Sequence, residues 1–187
     1  VYDPETGELN TETVYYNGLI SMRDETNNQT SFRSLANIYA AYSIVKDLTF
    51  KSEFGTDIYD LREKNFWGRE TITGGPAGEA QNRSVRVINY NWENYFTYIK
   101  TLGVHHINLV GGMSYQQSNS IGSNIKGKGF PTDDFTNIDN AAEVTTYGGW
   151  EEATSYLSYF ARANYKINDK YFFTLSGRVD GSSRFGI

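Results

Sequence analysis

Cysteine is missing from this 187-residue chain, which therefore has no disulfide frame, no thiolate zinc site and no cysteine nucleophile. Basic charge is in deficit: 17 Lys and Arg against 22 Asp and Glu leave a net charge of −5. A nucleic-acid binder needs a basic surface to displace counterions, so the balance argues against that class of partner. No apolar run approaches the roughly 20 residues that a membrane-spanning helix requires. Proline occurs only three times. A Ser/His/Asp pattern, a carboxylate pair with a supporting motif and a phosphate loop are all missing, so neither catalysis nor a cofactor is expected. The chain begins at Val1 with no signal-peptide pattern, which leads us to expect a processed or truncated piece of a longer protein.

Aromatic residues and glycine are abundant instead: 15 Tyr, 11 Phe, 3 Trp and 18 Gly. The aromatics fall in a period-two pattern, which puts alternate residues on opposite faces of a strand. In the first predicted strand, about Leu35 to Ile44, Ile38, Ala40, Tyr42 and Ile44 share one face; Asn37, Tyr39, Ala41 and Ser43 share the other. The second, about Leu48 to Tyr59, sets Leu48, Phe50, Phe54 and Ile58 against Thr49, Lys51, Glu53 and Asp57. The third (about Val85 to Lys100) and fourth (about Val104 to Gln117) repeat this, with Ile88, Tyr90, Trp92, Phe96 and then Ile107, Leu109, Met113, Tyr115 on their apolar faces. The fifth, about Ser155 to Ile167, and the sixth, from Tyr171, place Arg162, Lys166, Arg178 and Asp180 on their polar faces. Short turns near residues 45–47, 102–103 and 168–170 alternate with long polar stretches, Leu61 to Arg83 and Ser118 to Glu152, read as loops. The second stretch is expected to hold a helical turn or two after Pro131, capped by Thr132 or Asp133. The whole reads as an antiparallel meander of about six strands.

Alternation alone fits two environments. In a soluble sandwich the apolar face is a core; in a membrane barrel it meets lipid and the polar face lines a lumen. Three features favour the barrel. The strands match the roughly 9–11 tilted residues that cross a bilayer. Short and long connections alternate, as in outer-membrane barrels. Aromatics gather at two levels of the apolar face: Tyr42, Phe50, Tyr98, Tyr165 and Tyr171 near the short turns, and Tyr90, Trp92, Tyr115 and Tyr159 near the far ends. Small or aliphatic residues such as Leu109, Gly111, Ala161 and Ala163 lie between them, in the manner of two interfacial girdles.

The closing segment, KYFFTLSGRVDGSSRFG, resembles the SusC/RagA family of TonB-dependent outer-membrane transporters, typical of Bacteroidetes. The likeness rests on Arg178, Asp180, Gly181, Ser182, Ser183, Arg184 and Phe185, which follow a strand of alternating apolar residues. SFRSLANIYAAYSIVKDLTFKSEFGTD, HHINLVGGMSYQ and SYLSYFARANYKINDKY also look like barrel strands of that family. Asn17-Gly18 departs from the expected Asn-Pro. The resemblance implies an all-β fold, part of a transmembrane barrel of about 22 strands with a plug in its lumen. Residues 1–187 would supply a partial barrel domain without the plug. The resemblance further implies import of oligosaccharides or peptides across the outer membrane of a Gram-negative bacterium, with the long loops extracellular. Its expected partners are a SusD-like surface lipoprotein as lid, TonB–ExbB–ExbD acting through a missing N-terminal part, and outer-membrane lipid. The alternative is a soluble, aromatic-rich β-sandwich that binds carbohydrate.

Candidate site residues follow from the strand faces. Lys51, Glu53, Asp57, Arg162, Lys166, Arg178, Asp180 and Arg184 are read as lumen-facing charges, serving either ligand or plug contact or simple bracing of the wall. Phe66, Trp67, Tyr147 and Trp150 are read as loop aromatics that stack on a ligand, meet the lid or pack the loops. His105 and His106 point to opposite faces and cannot chelate one ion together. Asp133, Asp134 and Asp139 offer hard oxygens but lack a full Ca²⁺-loop pattern, so no metal is expected. Detergent dependence separates the two environments: the barrel reading predicts that the chain aggregates without detergent. A folded, monodisperse species by light scattering in plain buffer would sink it.

Overall fold

The structure, a computed structural model, describes residues 2–11 and 17–185. The end of the chain at Ile187, expected to be a cut in a longer protein, lies outside them. A short helix, α1 (Gly18–Asp24), precedes β1 (Glu25–Val45), β2 (Leu48–Trp67), β3 (Glu79–Leu102), β4 (His105–Lys128), β5 (Glu143–Ile167) and β6 (Tyr171–Ser182). All six strands form one antiparallel sheet in the order β1-β2-β3-β4-β5-β6. Among the described residues there is no second sheet, so the sandwich alternative has no partner layer for its core.

The two faces assigned from alternation meet as expected. Phe50 packs on Phe96 at 5.0 Å between ring centroids, Phe54 stacks near Tyr90 at 6.3 Å, and Trp92 Nε1 donates to Ser52 Oγ at 3.0 Å, all on the apolar face of β2 and β3. Between β5 and β6 the register sets Tyr159 opposite Val179, Ala161 opposite Gly177, Ala163 opposite Leu175 and Tyr165 opposite Phe173. The intervening pairs are Ser158 with Asp180, Phe160 with Arg178 and Arg162 with Ser176. A slip of one residue would exchange the two sets on every strand, which is why the register is strongly specified.

Strand length departs from expectation. β1 to β5 run 20 to 25 residues, longer than each of the predicted spans. The stretches 61–83 and 118–152, expected as loops, are largely strand; only 68–78 and 129–142 connect. Pairing continues there because a ladder needs only backbone partners. The period-two signal fades because neither face is continuously apolar. The helical turn expected after Pro131 is a 3₁₀ turn at Ile138–Asn140 instead, and Thr132 Oγ1 accepts from the Asp134 amide at 3.3 Å. α1 was not legible in the alternation; Asn17 caps it by accepting from the Leu19 amide at 3.3 Å.

The chain divides into two compact units. One comprises Val1–Phe32, Tyr59–Arg86 and Ile121–Glu151. Its small core joins Phe66, Ala80 and Phe130 with Ile138 and Ala141, the two phenyl rings meeting edge to face at 5.1 Å. Ion pairs tie its connections. Arg23 forks onto Asp24 at 2.6 and 2.7 Å and also pairs with Glu70, and these hydrogen bonds hold its guanidinium above its already high ordinary pKa. Arg69 donates from its backbone N and from Nε to Asp133 at 3.2 and 3.1 Å.

The other unit comprises Arg33–Ile58, Val87–Ser120 and Glu152–Ile187. Its apolar face is bare: Leu175 is 76% exposed, Val179 71% and Tyr42 70%. An uncovered apolar face this continuous suits hydrocarbon as its solvent and suits water poorly. The tight turn between β5 and β6 places Asn168 and Asp169 at φ 57° and 52°, the left-handed region that these two residue types tolerate. Lys166 Nζ lies 2.6 Å from the Asp169 carboxylate and holds its pKa below the ordinary value; His106 stands 4.0 Å away.

Two tests follow. A Cβ on Gly112 would lie 2.3 Å from the Asn94 carbonyl oxygen and 2.5 Å from Tyr95 Cβ, whereas one on Gly177 would meet nothing within 4 Å. Gly112→Ala is therefore expected to destabilise the β3–β4 pairing by about 1–3 kcal/mol. It should lower the folded, heat-modifiable fraction on a gel, while Gly177→Ala leaves it unchanged. Because the Asp169 pKa is depressed in the fold, its stabilisation is present above the ordinary carboxylate pKa and is lost as pH falls through the folded value. Asp169→Asn keeps the turn conformation but loses the charge. Its small deficit in thermal stability should be seen at neutral pH and vanish in acid; a deficit independent of pH would contradict this.

Candidate functional site

On the polar face of the second unit, β1 to β4 build a cleft of about 540 Å³. Leu35 and Asn37 come from β1, Asp57 from β2, Asn89 and Asn91 from β3, and Gln116 from β4, with Tyr156 of β5 at its edge. Four of its five lining carboxamides, Asn37, Asn89, Asn91 and Gln116, thus converge, each offering a donor pair and an acceptor. The Asn91 Oδ1 is enclosed and accepts no hydrogen bond among the described residues. Alternation explains the convergence: these positions share one face of their strands. Neutral polar side chains of this type suit hydroxyl or peptide groups rather than a metal ion or a reacting bond.

The predicted charges fall into separate clusters instead of one network. Lys51 Nζ donates to Glu53 Oε2 at 2.7 Å, and Glu53 also accepts from Asn37 Nδ2 at 2.7 Å. The same ammonium sits 4.6 Å from the Tyr39 ring centroid and 5.9 Å from that of Tyr95. Asp57 is forked by Arg33 at 3.0 and 2.9 Å. Arg178 Nε donates to Asp180 at 2.6 Å and its Nη2 donates to Ser158 Oγ at 3.0 Å. Arg184 donates to Glu152 at 2.8 Å, and Lys166 turns to Asp169. Arg162 makes no ion pair among the described residues. The sequence reading missed Arg33 and the carboxamides as site residues. The available signal was their recurrence at alternate positions, as in Asn89 and Asn91.

The aromatics expected in loops stand in strands. Phe66 belongs to β2 and is 4% exposed inside the small core, so its ring is not offered to a ligand. Trp67 is half-buried at the end of β2. Tyr147 and Trp150 belong to β5; Tyr147 is 83% exposed, and the Trp150 indole lies over Gly122, whose Cβ would come within 2.5 Å of it. His105 and His106 do point apart: the first stacks on Tyr165 and shares a 2.6 Å hydrogen bond with its hydroxyl, while the second hydrogen-bonds Thr101 at 3.0 Å. Asp133, weighed as a cation ligand, holds Arg69.

No family profile matches the chain. Over 153 residues, 80% of the chain, it is 35% identical to the TonB-dependent receptor P3 of Formosa agariphila. Over 182 residues it is 31% identical to the TonB-dependent receptor P26 of the same organism. It is 32% identical over 97 residues to the TonB-dependent receptor SusC of Bacteroides thetaiotaomicron. The chain spans 15% of the length of P3 and 18% of that of P26. Its fold superposes on 20% of a chain in the RagAB peptide transporter, with a TM-score of 0.84 at 23% identity over 91% of this chain. Taken together, the relatives in sequence and the shared fold show this chain to be a stretch of the β-barrel of a SusC/RagA-like TonB-dependent receptor.

Proposed function

We propose that β1 to β6 form part of the wall of an outer-membrane nutrient transporter that imports oligosaccharides or peptides, driven through TonB. The observation that carries this reading is a single sheet with one bare apolar face and one face of hydrogen-bonded polar clusters. A soluble domain has no use for that combination, whereas a barrel between lipid and a polar lumen requires it. Lys51, Glu53, Asp57, Arg162, Lys166, Arg178, Asp180 and Arg184 face the lumen. There the paired ones brace the wall, and the carboxamides beside Asp57 hydrogen-bond what passes or what fills the barrel. The likeness to RagAB, described as a peptide transporter, favours peptides among the two substrate classes. The long-connection end faces outward. Tyr147, Trp150 and Trp67 there meet a SusD-like lipoprotein lid or its ligand. TonB–ExbB–ExbD engages a part of the protein outside this chain.

Purification of the full-length protein from outer membranes tests the assembly. A surface lipoprotein should co-purify, and mass spectrometry should find peptide or oligosaccharide released on denaturation; recovery of the receptor with neither would refute the lid and the substrate class. In the same protein Asn89→Ala with Asn91→Ala removes two carboxamides, the first a hydrogen-bond partner of Asp57, and leaves the Arg33 fork onto Asp57 in place. At about 1 kcal/mol for each lost hydrogen bond, uptake of the identified substrate should fall by about fivefold or more, with barrel yield unchanged. Unchanged uptake would remove the cleft from the transport path.

A further inference from the structure

The first unit carries a cleft of its own. On β2 the alternation that presents Phe54 and Ile58 continues into Asp60 and Arg62. On β3 the positions of Tyr90 and Ile88 continue back into Arg86 and Ser84, and on β4 that of Tyr115 continues into Ile121 and Ser123. With Glu151 of β5 these residues line a cleft of about 610 Å³. Asp60 is shared by two guanidiniums, with Arg86 Nε at 2.9 Å and Arg62 Nε at 3.3 Å. One carboxylate cannot satisfy two five-donor groups, and the Arg62 and Arg86 side chains are 69% and 55% exposed. Beside them Ser84 and Ser123 share a hydroxyl–hydroxyl hydrogen bond of 2.8 Å.

These are lipid-side positions occupied by charge. An outward Arg costs about 2–4 kcal/mol at the bilayer midplane and about 0–1 near its surface, so the switch from Ile58 to Asp60 and from Ile88 to Arg86 marks where hydrocarbon gives way to headgroups. We propose that this cleft binds the phosphorylated sugar headgroup of an outer-leaflet glycolipid. The free guanidinium donors of Arg62 and Arg86 take phosphate oxygens in the fork geometry that suits them. Asp60, Glu151 and the two serine hydroxyls take sugar hydroxyls, a combination that a bare phosphate leaves unused. The proposal rests on the barrel reading with the long connections outward.

The test uses the full-length receptor in nanodiscs of phosphatidylethanolamine doped with diphosphoryl lipid A, with native mass spectrometry counting the lipid A retained. Arg62→Gln with Arg86→Gln should retain about tenfold less than wild type, and lipid A stripped of phosphate should be retained poorly by both. Heat-modifiable migration confirms that the variant barrel is folded. If the double variant does not fold, Arg62→Gln alone, at the more exposed of the two guanidiniums, should still show about a threefold loss. Equal retention by wild type and variant overturns the proposal, as does retention of inorganic phosphate as strong as that of lipid A. A receptor dimer lost in the variant while lipid A retention stays unchanged would assign the cleft to a second copy and likewise overturn it. Orientation is read separately, from Tyr147→Cys and a membrane-impermeant maleimide on intact cells. Labelling there with unchanged lipid retention sinks this proposal alone; labelling only after permeabilisation sinks the outward reading as well.

Discussion

In hydrocarbon no water replaces a missing hydrogen-bond partner, and that single constraint organises this chain. Each backbone amide and carbonyl within lipid must find a neighbouring strand. Once the backbone is paired, only the side chains negotiate with the surroundings, and strand geometry sends them alternately to two sides. The apolar set can be large, exposed and loosely matched, because lipid fills what side chains leave open. The charged members of the polar set pair in local clusters, Lys51 with Glu53 and Asn37, Asp57 with Arg33, Arg178 with Asp180 and Ser158, while the enclosed Oδ1 atoms of Asn65, Asn91 and Asn108 are left without a partner among the described residues.

The two units are held together by different means. Where connections and polar strand ends collect, the chain behaves like an aqueous protein in miniature. It buries Phe66, Ala80 and Phe130 and clamps its connections with Arg23, Arg69 and their acidic partners. Where the apolar face is continuous, no apolar side chain among the described residues is fully buried, yet the sheet is regular. Glycine serves that regularity at Gly112, where Tyr95 lies against the backbone and leaves no room for a Cβ. A sheet that tolerates bare leucine and valine at one face can still be intolerant of a single methyl group at the other.

The faces, the strand order and the tight turns were legible in the sequence, because a half-apolar strand writes its period into every second residue. Phe50 with Phe96 and Tyr165 with Phe173 are contacts that parity alone anticipates. The strand ends were not legible. From Tyr59 to Trp67 and from Glu79 to Val85 the backbone stays paired while charged and apolar residues mix on each face, and a mixed face has no period. Phe66 misled for the same reason: an isolated aromatic among polar residues reads as an exposed ring until the fold brings Phe130 and Ala80 to it. The cleft of carboxamides shows a further limit. Its members sit at alternate positions of different strands, so their convergence belongs to the pairing register rather than to any local motif.

Pairing also bears on what the inward wall can do. Most of the charged residues read as inward-facing carry a countercharge within hydrogen-bond reach; Glu93 and Arg162, one of each sign, stand without an ion pair among the described residues. A wall neutralised residue by residue presents little net field to a passing solute. Strong charge selection would need unpaired groups of one sign, at a desolvation cost that these pairs avoid. The groups left with spare hydrogen-bonding capacity are neutral: Asn89, Asn91, Asn37 and Gln116 around one cleft. Carboxamides bind donors and acceptors alike and bind neither tightly, so a solute can exchange one such partner for the next. The import of uncharged polar chains proposed above asks for that chemistry, and the ion pairs leave it undisturbed.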